Sequence, residues 1–339
     1  MLNFGLIGCG KHAEWAVVPA MRGMVECRLA AAADLSAERL EIVGDGVAGY
    51  TDYREMLAKE RLDAVYVATP QEAHCAPVLT AIAAGCHVVC EKPMGADVDE
   101  CRRMNDAAEA AGKVLAIDFE NRYIPGYRQV REWIAAGHLG AVGAIHIDHL
   151  WDGHKVMGPL SERRKGFLNR VGCLDCGIHM LDMARFISGG GEWGDIRALG
   201  AWFGEEVTFP PHIAILARLA PGRLVTLNAS FAYTAYIKER VQAHGMLVLG
   251  EKGIIALEAH EGEHVFRLVS ETLSATCLLD EAGHDQVIPN LLRDFVIAAE
   301  GGTPSPSMAT GIDGLQAQIA TDAANADAVA QGDACRVRA

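Results

Sequence analysis

The chain has 339 residues, half of them hydrophobic and 22% charged, so it is long enough for two packed domains and too apolar to stay disordered. Its net charge of −14 argues against a nucleic-acid-binding protein, because such proteins carry basic stripes that neutralise phosphates. We see no signal peptide and no run of about 18 apolar residues. With ten cysteines in mostly apolar surroundings, we expect a cytoplasmic protein with reduced thiols and no membrane partner.

The first 120 residues alternate short apolar runs with amphipathic stretches. The apolar runs are Phe4–Ile7, Arg28–Ala33, Ala64–Ala68, His87–Cys90 and Val114–Ile117. The amphipathic stretches are Glu14–Met21, Ser36–Val43, Ala73–Ala84 and Val98–Ala111. Apolar strands without polar alternation, separated by helices, are typical of a parallel sheet covered on both faces. The pattern therefore predicts an α/β Rossmann domain with a doubly wound parallel sheet over residues 1–120.

Residues 121–339 predict a second, α+β domain with a large open sheet that is mostly antiparallel. Helices are expected at Tyr127–Ala136 and Cys176–Ile187. Strands are expected at Gly143–Leu150, Arg197–Phe203, Ile213–Leu219, Leu224–Phe231, Glu239–His244 and Phe266–Val269. Two final helices, Val287–Ala299 and Ile312–Ala330, can pack on either domain.

A glycine loop follows the first predicted strand and opens a helix. Gly8-Cys9-Gly10-Lys11-His12-Ala13 fits G-x-G-x-x-A, in which the small residues permit a tight turn, the approach of a pyrophosphate, and close helix–strand packing. Asp34 closes the second strand about 20 residues later, where an acidic residue binds the adenosine ribose. Alternatively, Asp34 caps the helix that starts near Ser36. A carboxylate there repels a 2′-phosphate and favours NAD, although Arg39 leaves NADP open.

Three further motifs point to a family. Two of them stand at the ends of predicted strands. They are Ala68-Thr69-Pro70, with His74 shortly after, and Glu91-Lys92-Pro93. Asp175-Cys176-Gly177-Ile178-His179-Met180-Leu181-Asp182 has the form D-x-G-x-H-x-x-D. Together with the glycine loop, these motifs resemble the Gfo/Idh/MocA family of sugar and cyclitol oxidoreductases, and the resemblance covers essentially the whole chain.

The resemblance implies a Rossmann domain followed by a domain whose open sheet helps to form homodimers or homotetramers, with the active site between them. In such a protein Lys92 contacts the reacting hydroxyl, Asp175 and His179 complete the site, and Glu91 and Pro93 shape the turn beside the nicotinamide. The cofactor-binding residues are expected to be Gly8, Cys9, Gly10, Lys11, His12, Ala13, Asp34, Thr69, Pro70, His74, Glu91 and Lys92.

The chemistry of hydride transfer from a carbinol carbon needs a proton acceptor and a group that holds the developing alkoxide. Asp175 and His179 are four residues apart, so on a helix they share one face, and the carboxylate orients the imidazole. We expect His179 to be the general acid/base and Lys92 to bind and polarise the oxygen. The two roles can also be exchanged.

The predicted substrate is a carbohydrate or cyclitol. Its binding residues are expected to be Lys92, Arg122, Trp151, His154, Asp175, His179 and Tyr236. Cys173, Cys176 and His179 have a spacing that could hold zinc, but a structural zinc site needs a fourth ligand, so no metal is expected. Two other functions stay open: a glycoside-cleaving enzyme that uses the cofactor only transiently, and a non-catalytic dinucleotide sensor.

Overall fold

A computed structural model of the chain describes residues 1–151, 166, 168–202, 206–231, 243–260, 263–280 and 283–332. The chain divides into two compact units. The first comprises residues 1–124 and 281–318, and the second comprises residues 125–280 and 319–339. Within the described ranges, every helix is too short or too polar to cross a membrane.

The first unit is built on six parallel strands. They are β1 (Leu2–Ile7), β2 (Cys27–Ala33), β3 (Ala48–Tyr50), β4 (Ala64–Val67), β5 (His87–Cys90) and β6 (Leu115–Ile117). Their order is β6-β5-β4-β1-β2-β3, which is the doubly wound order of a Rossmann fold and confirms the predicted class. All four residues of β4 are buried, because a parallel strand with helices on both faces has no solvent side.

The helical segments of this unit lie between the strands. They are a π-helical segment (Ala13–Val17), α1 (Val18–Arg22), a 3₁₀ helix (Ala37–Val43), α2 (Tyr53–Lys59), α3 (Cys75–Ala83), α4 (Val98–Ala111) and a 3₁₀ helix (Glu120–Tyr123), with a one-turn 3₁₀ helix (Gln71–Ala73) before α3. Both β3 and α2 are additions to the predicted pattern, since each is too short to give a periodic signal.

The second unit begins with α5 (Pro125–Ala135), β7 (Val142–Leu150) and α6 (Leu174–Ile187). Its other strands are β8 (Trp193–Ala201), β9 (His212–Leu219), β10 (Arg223–Ser230), β11 (Ala243–Gly250), β12 (Gly253–His260), β13 (Glu263–Ser270) and β14 (Ser274–Leu278). The sheet order is β14-β13-β12-β11-β7-β10-β9-β8, and only the β7–β10 pair is parallel. The mostly antiparallel sheet is therefore confirmed.

Individual strands of this sheet differ from the prediction. The strand expected at Glu239–His244 overlaps β11 only at residues 243–244, and the rest of that prediction lies outside the described residues. The real strand continues through an apolar stretch in which Met246 and Val248 point to the buried side. The sequence analysis did not predict β12 or β14.

The two faces of the second sheet differ in burial. Ile213, Ile215, Ala217 and Leu219 of β9 are buried, and the residues between them are exposed. On the buried face α6 packs closely, since a Cβ added at Gly177 would lie 3.0 Å from the Cβ of Ala229. The opposite face is exposed.

The last segment of the chain returns to the first unit. It contains α7 (His284–Ala299), β15 (Ala309–Thr310) and α8 (Gly311–Ala330), and β15 pairs antiparallel with β6. The ring of Phe295 on α7 lies 5.8 Å from that of Phe4. The hydroxyl of Tyr123 donates to Asp294 over 2.8 Å. Residues of α8 from Ile319 onward belong to the second unit.

Candidate functional site

The glycine loop begins where β1 ends. Gly8 has φ +95°, and a Cβ there would lie 2.7 Å from the backbone of Ala68, so only glycine fits. Gly10 differs, because a Cβ there would meet nothing within 4 Å. Ala13 is fully buried at the start of the helical segment. The loop is therefore packed tightly against the end of β4 on one side and has open space at Gly10, as a pyrophosphate cradle requires.

Asp34 connects the end of β2 to the glycine loop. The Cys9 N–H donates to Asp34 Oδ2 over 2.8 Å, and the Ser36 N–H donates to Oδ1 over 2.9 Å. The residue at the N-cap of the following 3₁₀ helix is Ser36, so Asp34 does not occupy that position. A carboxylate has about four lone-pair sites, so acceptor capacity is left for a ribose hydroxyl. Lys11 is exposed and pairs with Glu14 at 3.3 Å.

The segments after β4 and β5 are joined by a buried histidine. His74 Nε2 lies 2.7 Å from the carbonyl oxygen of Thr69, and Nδ1 lies 2.9 Å from that of Pro93. Burial lowers the pKa of His74. The Thr69 hydroxyl donates to the Ala73 carbonyl over 3.0 Å, and Pro70 is exposed. Both ring nitrogens of His74 are thus in contact with the backbone, and the side chain holds these two segments together.

The half-buried His12 and three buried side chains, Tyr66, Glu91 and Asp118, form a group that we call the His12 cluster. His12 Nε2 lies 2.8 Å from Glu91 Oε1 and 3.9 Å from Asp118 Oδ2. The Tyr66 hydroxyl is 2.8 Å from Glu91 Oε1 and also in hydrogen-bond contact with Asp118 Oδ2. These residues follow, or lie on, neighbouring strands at the carboxyl edge of the first sheet.

Charges in the cluster stabilise one another. Burial alone would lower the pKa of His12, but Glu91 and Asp118 outweigh it and raise the pKa to about 11. Burial and the Glu91 carboxylate raise the pKa of Asp118 to about 6. Although burial opposes it, the adjacent His12 lowers the pKa of Glu91. Near neutral pH the cluster therefore holds an imidazolium beside two carboxylates.

Sequence reasoning named His12 and Glu91 but missed Tyr66 and Asp118. The available signal was the position of Asp118 directly after a buried strand. Across the described ranges, His12, Glu91 and Asp118 are the one set of three His, Cys, Asp or Glu residues whose ligand-type atoms lie within 4.8 Å of one another. That spacing also suits a divalent cation, but the imidazolium supplies the positive charge here. Cys173, Cys176 and His179 do not converge in this way.

Lys92 follows Glu91 at the end of β5 and is half-buried. Its positive charge is among the causes that lower the pKa of Glu91. The Lys92–Pro93 peptide bond is cis. Arg122 is buried and lies 3.2 Å from Asp313 at the start of α8, so this guanidinium links the segment after β6 to the C-terminal helix.

In the second unit, Asp175 and His179 lie on the first turns of α6, one turn apart. His179 is buried and Asp175 is half-buried. Close packing at Gly177, between them, holds this end of the helix against β10. The helix predicted from Cys176 begins two residues earlier, so both residues are helical as the D-x-x-x-H spacing requires.

Two histidines missed by sequence reasoning lie on the buried face of the second sheet. His149 of β7 pairs with Ala229 on one side and with His244 of β11 on the other, and the two imidazoles are 5.1 Å apart. Burial, with the nearby His244, lowers the pKa of His149 to about 3. Among the described residues His149 Nε2 has no hydrogen-bond partner. In the sequence, the pattern that marks these two histidines is a polar residue on a strand face that is otherwise apolar and buried.

Of the remaining predicted substrate residues, the structure describes Trp151, whose ring is 5.2 Å from that of Phe231 in an edge-to-face arrangement. His154 and Tyr236 lie outside the described residues.

Comparison with known proteins gives the affiliation of the chain. Residues 2–119 match the family model described as an oxidoreductase family with an NAD-binding Rossmann fold, and residues 127–256 match the GFO/IDH/MocA C-terminal domain. The chain belongs to the Gfo/Idh/MocA family. The first unit is accordingly an NAD-binding Rossmann domain, and the open space at Gly10 and the Asp34–Cys9 link fit that cofactor.

Two relatives illustrate the range of the family. The chain is 31% identical to the rhizopine catabolism protein MocA of Rhizobium meliloti over 55% of this chain and 57% of that one. It is 33% identical to inositol 2-dehydrogenase 3 of Saccharopolyspora erythraea over 44% and 45%. The chain thus spans about half the length of the curated relatives it matches.

A solved oxidoreductase from Agrobacterium radiobacter, in complex with NAD+, L-tartaric acid and magnesium, shares the fold. Its TM-score is 0.82 at 22% identity, and the match covers 98% of this chain and 97% of that one.

Proposed function

We propose that this protein transfers a hydride between a nicotinamide cofactor and a carbinol or carbonyl carbon of a sugar, sugar acid or cyclitol. The observation that carries the proposal is the convergence of the glycine loop, Asp34 and the Glu91-Lys92-Pro93 turn at the carboxyl ends of one parallel sheet. In such sheets ligands bind outside these strand ends, where the strand order reverses, which is between β1 and β4 here.

The roles of the side chains follow from their chemistry. When bound, the nicotinamide accepts or delivers the hydride. Lys92 binds and polarises the reacting oxygen, because an ammonium stabilises a developing alkoxide. His179 takes or returns the hydroxyl proton, and Asp175 on the preceding turn orients its imidazole. In the alternative, Lys92 is the proton acceptor and His179 holds the oxygen.

The substrate class is supported by polar and aromatic groups on the buried face of the second sheet. A low pKa keeps the His149 imidazole neutral, so that it offers one donor and one acceptor, the pair that hydroxyl groups need. Trp151, braced by Phe231, provides an apolar ring suited to the C–H face of a carbohydrate. The similarity to inositol 2-dehydrogenase 3 of Saccharopolyspora erythraea supports a cyclitol among the candidates.

NAD is proposed as the preferred form of the cofactor. Asp34 is already linked to Cys9, so its carboxylate is fixed beside the loop that would hold the pyrophosphate. A fixed anion repels a 2′-phosphate and accepts hydrogen bonds from an unmodified ribose.

The test of this function is an absorbance screen for reduced nicotinamide. Cyclitols, aldoses, sugar acids and glycosides are each incubated with NAD or NADP and with wild type, Lys92→Ala or Lys59→Ala. Lys59 is an exposed residue on α2 and serves as the matched control. We expect net NADH formation with at least one polyol, lost in Lys92→Ala and retained in Lys59→Ala. Glycoside cleavage without net NADH, or tight NAD binding without any turnover, would each contradict the proposal.

We also propose that the exposed face of the second sheet forms a homodimer or homotetramer. The strand register places seven exposed apolar side chains on this one face, at Leu199, Leu216, Leu224, Leu249, Ile254, Val269 and Leu278. An apolar face of this extent favours association. Light scattering should give an oligomer for wild type and for Val25→Glu, an exposed apolar site in the first unit, and a monomer for Leu216→Glu. A monomeric wild type would refute the proposal.

A further inference from the structure

We propose that Met94 is a positioning residue, which seats the Glu91-Lys92-Pro93 turn in a notch that Gly314 leaves on the C-terminal helix α8. The consequence for catalysis rests on the proposed function, because that function assigns the reacting oxygen to Lys92. The packing itself stands on contacts within the first unit. Met94 comes two residues after Lys92, whereas Gly314 lies far along the chain, in the first turns of α8.

The notch is a place on the buried face of α8 where the helix has no side chain. Gly314 is buried, and a Cβ added there would lie 2.8 Å from the Sδ atom of Met94 and 3.2 Å from its Cβ atom. It would also lie 2.8 Å from Cγ1 of Ile117 on β6. Both neighbours are fully buried, so neither side chain can swing into solvent to make room. Helix α8 can therefore approach the turn this closely only because it carries a glycine at this position.

Polar contacts hold the start of α8 in the first unit. Arg122 is buried and lies 3.2 Å from Asp313, which stands next to the notch. The carboxylate of Asp313 also accepts hydrogen bonds from the N–H and hydroxyl groups of Thr310, over 2.9 and 3.0 Å. The carbonyl oxygen of Gly311 accepts a hydrogen bond from the side-chain amide of Asn105 on α4 over 2.9 Å. The notch therefore belongs to a helix end that is itself held in place.

The turn is held by hydrogen bonds on either side of Met94. The carbonyl oxygen of Pro93 lies 2.9 Å from Nδ1 of His74. The carbonyl oxygen of Gly95 accepts a hydrogen bond from Nε2 of Gln71 over 2.6 Å. Both partners belong to the segment that follows β4. The notch on α8 supplies a further contact, with the side chain that lies between these two carbonyl groups.

The link from Met94 to Lys92 is covalent and short. Only Pro93 stands between them, and its ring fixes φ while the peptide bonds are planar. A shift of the Met94 main chain therefore has few torsion angles to absorb it before it reaches Lys92. Such a shift is expected in Gly314→Ala, because the Cβ of Met94, as well as its flexible thioether, lies too close to the added methyl group. A displacement of 1 Å in a group that holds the reacting oxygen slows the reaction by about 10²-fold.

The experiment is a size-complementation cycle with three variants and a control. Gly314→Ala pushes on Met94, Met94→Ala empties the notch, and the double variant combines a larger wall with a smaller side chain. Gly5→Ala is the matched control from the same unit. A Cβ at Gly5 would lie 2.7 Å from Leu62 and 3.0 Å from Met56, so the overlap is comparable but falls on α2 and the segment after it.

With a substrate of the wild type, we expect kcat to fall about tenfold in each single variant, while the KM for the polyol and the Kd for NAD change less than about threefold. The glycine loop and Asp34 are untouched, and the contact from Lys92 matters most as the alkoxide develops. The double variant should recover kcat to within about threefold of wild type. Gly5→Ala should lower Tm without lowering kcat. An unchanged kcat in Gly314→Ala, no recovery in the double variant, or an equal loss in Gly5→Ala would overturn the inference.

NMR of the protein without cofactor or substrate separates this inference from the proposed function. The methyl signal of Met94 is identified by its loss in Met94→Ala, and the signal of reductively methylated Lys92 by its loss in Lys92→Arg. Both signals should shift in Gly314→Ala and stay in place in Gly5→Ala. If Gly314→Ala does not fold, the Lys92 signal is followed in Met94→Ala instead, where it should shift as well. An unshifted Lys92 signal would overturn the inference even if the protein is an active dehydrogenase, whereas absence of turnover in the wild type would refute only the proposed function.

Discussion

Two glycines of the same loop should respond in opposite ways to alanine, and the difference can be calculated from their surroundings. At Gly8 an added Cβ would overlap the backbone of Ala68 at 2.7 Å, at a φ of +95° that non-glycine residues avoid. Backbone strain of this kind costs about 1–3 kcal/mol, and an overlap with main-chain atoms adds about 1–3 kcal/mol. The free energy of unfolding of the first unit should therefore fall by about 3 kcal/mol in Gly8→Ala. That loss corresponds to roughly 6–12 °C in Tm for a domain of this size.

Gly10→Ala should not lower stability. Its Cβ meets nothing within 4 Å, so the protein has room for the methyl group, and a small gain from reduced chain entropy is expected. The space it fills is the one that a pyrophosphate needs, and loss of one or two charge-assisted hydrogen bonds costs about 2 kcal/mol or more. The Kd for NAD should then rise roughly 30-fold.

Thermal unfolding and calorimetric titration with NAD measure both quantities. Gly46→Ala is the control for backbone strain, because Gly46 has φ +84° with nothing within 4 Å of an added Cβ, and it should cost only about 1 kcal/mol with normal NAD binding. If Gly10→Ala binds NAD as wild type does, the loop is not the pyrophosphate site and the reasoning fails. A Gly8→Ala variant no less stable than Gly46→Ala would refute the steric argument.

Three other substitutions test the assigned residues. Asp34→Asn keeps an acceptor for the Cys9 N–H but removes the negative charge. The affinity for NADP relative to NAD should therefore rise about tenfold. The same NADP-to-NAD affinity ratio in the variant and the wild type, measured by calorimetry, would contradict this. His179→Ala should lower kcat by about 10²–10⁴-fold with an unchanged Kd for NAD, and full turnover would remove His179 from the mechanism. His149→Leu should raise the KM for the polyol about tenfold without lowering Tm, because it removes a buried nitrogen that lacks a partner; a lower Tm with an unchanged KM would argue for a purely structural histidine.

The sequence predicted the first unit better than the second because the two kinds of sheet leave different traces. Buried parallel strands such as Ala64–Val67 are continuous apolar runs, and the glycine loop marks the first of them. In the second sheet exposed apolar residues such as Leu216 and Leu249 blur the alternation of apolar and polar positions, and several strands adjoin without a distinctive turn. The strand expected to end at His244 actually starts at Ala243. Its later residues Met246-Leu247-Val248-Leu249 are a continuous apolar run, so the sequence shows no strand-like alternation there.

The residues of the candidate site also differ in how far the sequence could predict them. Motifs that are contiguous in sequence, such as Glu91-Lys92-Pro93, could be named from the residues alone. The His12 cluster could not, because Tyr66 and Asp118 belong to different strands and only the order of the sheet brings them to His12. His149 and His244 were missed for the same reason, since their pairing is a matter of strand register.

The NAD-binding unit is completed by residues far along the chain, and this has a consequence for synthesis. Phe4 packs on Phe295, Tyr123 donates to Asp294, and β15 covers the edge of β6. A nascent chain that has emerged only as far as residue 124 therefore has an open sheet edge and exposed apolar side chains, which invite aggregation. Residues up to 318 must leave the ribosome before this unit can close. The part of the protein that is made first is therefore among the last to be finished.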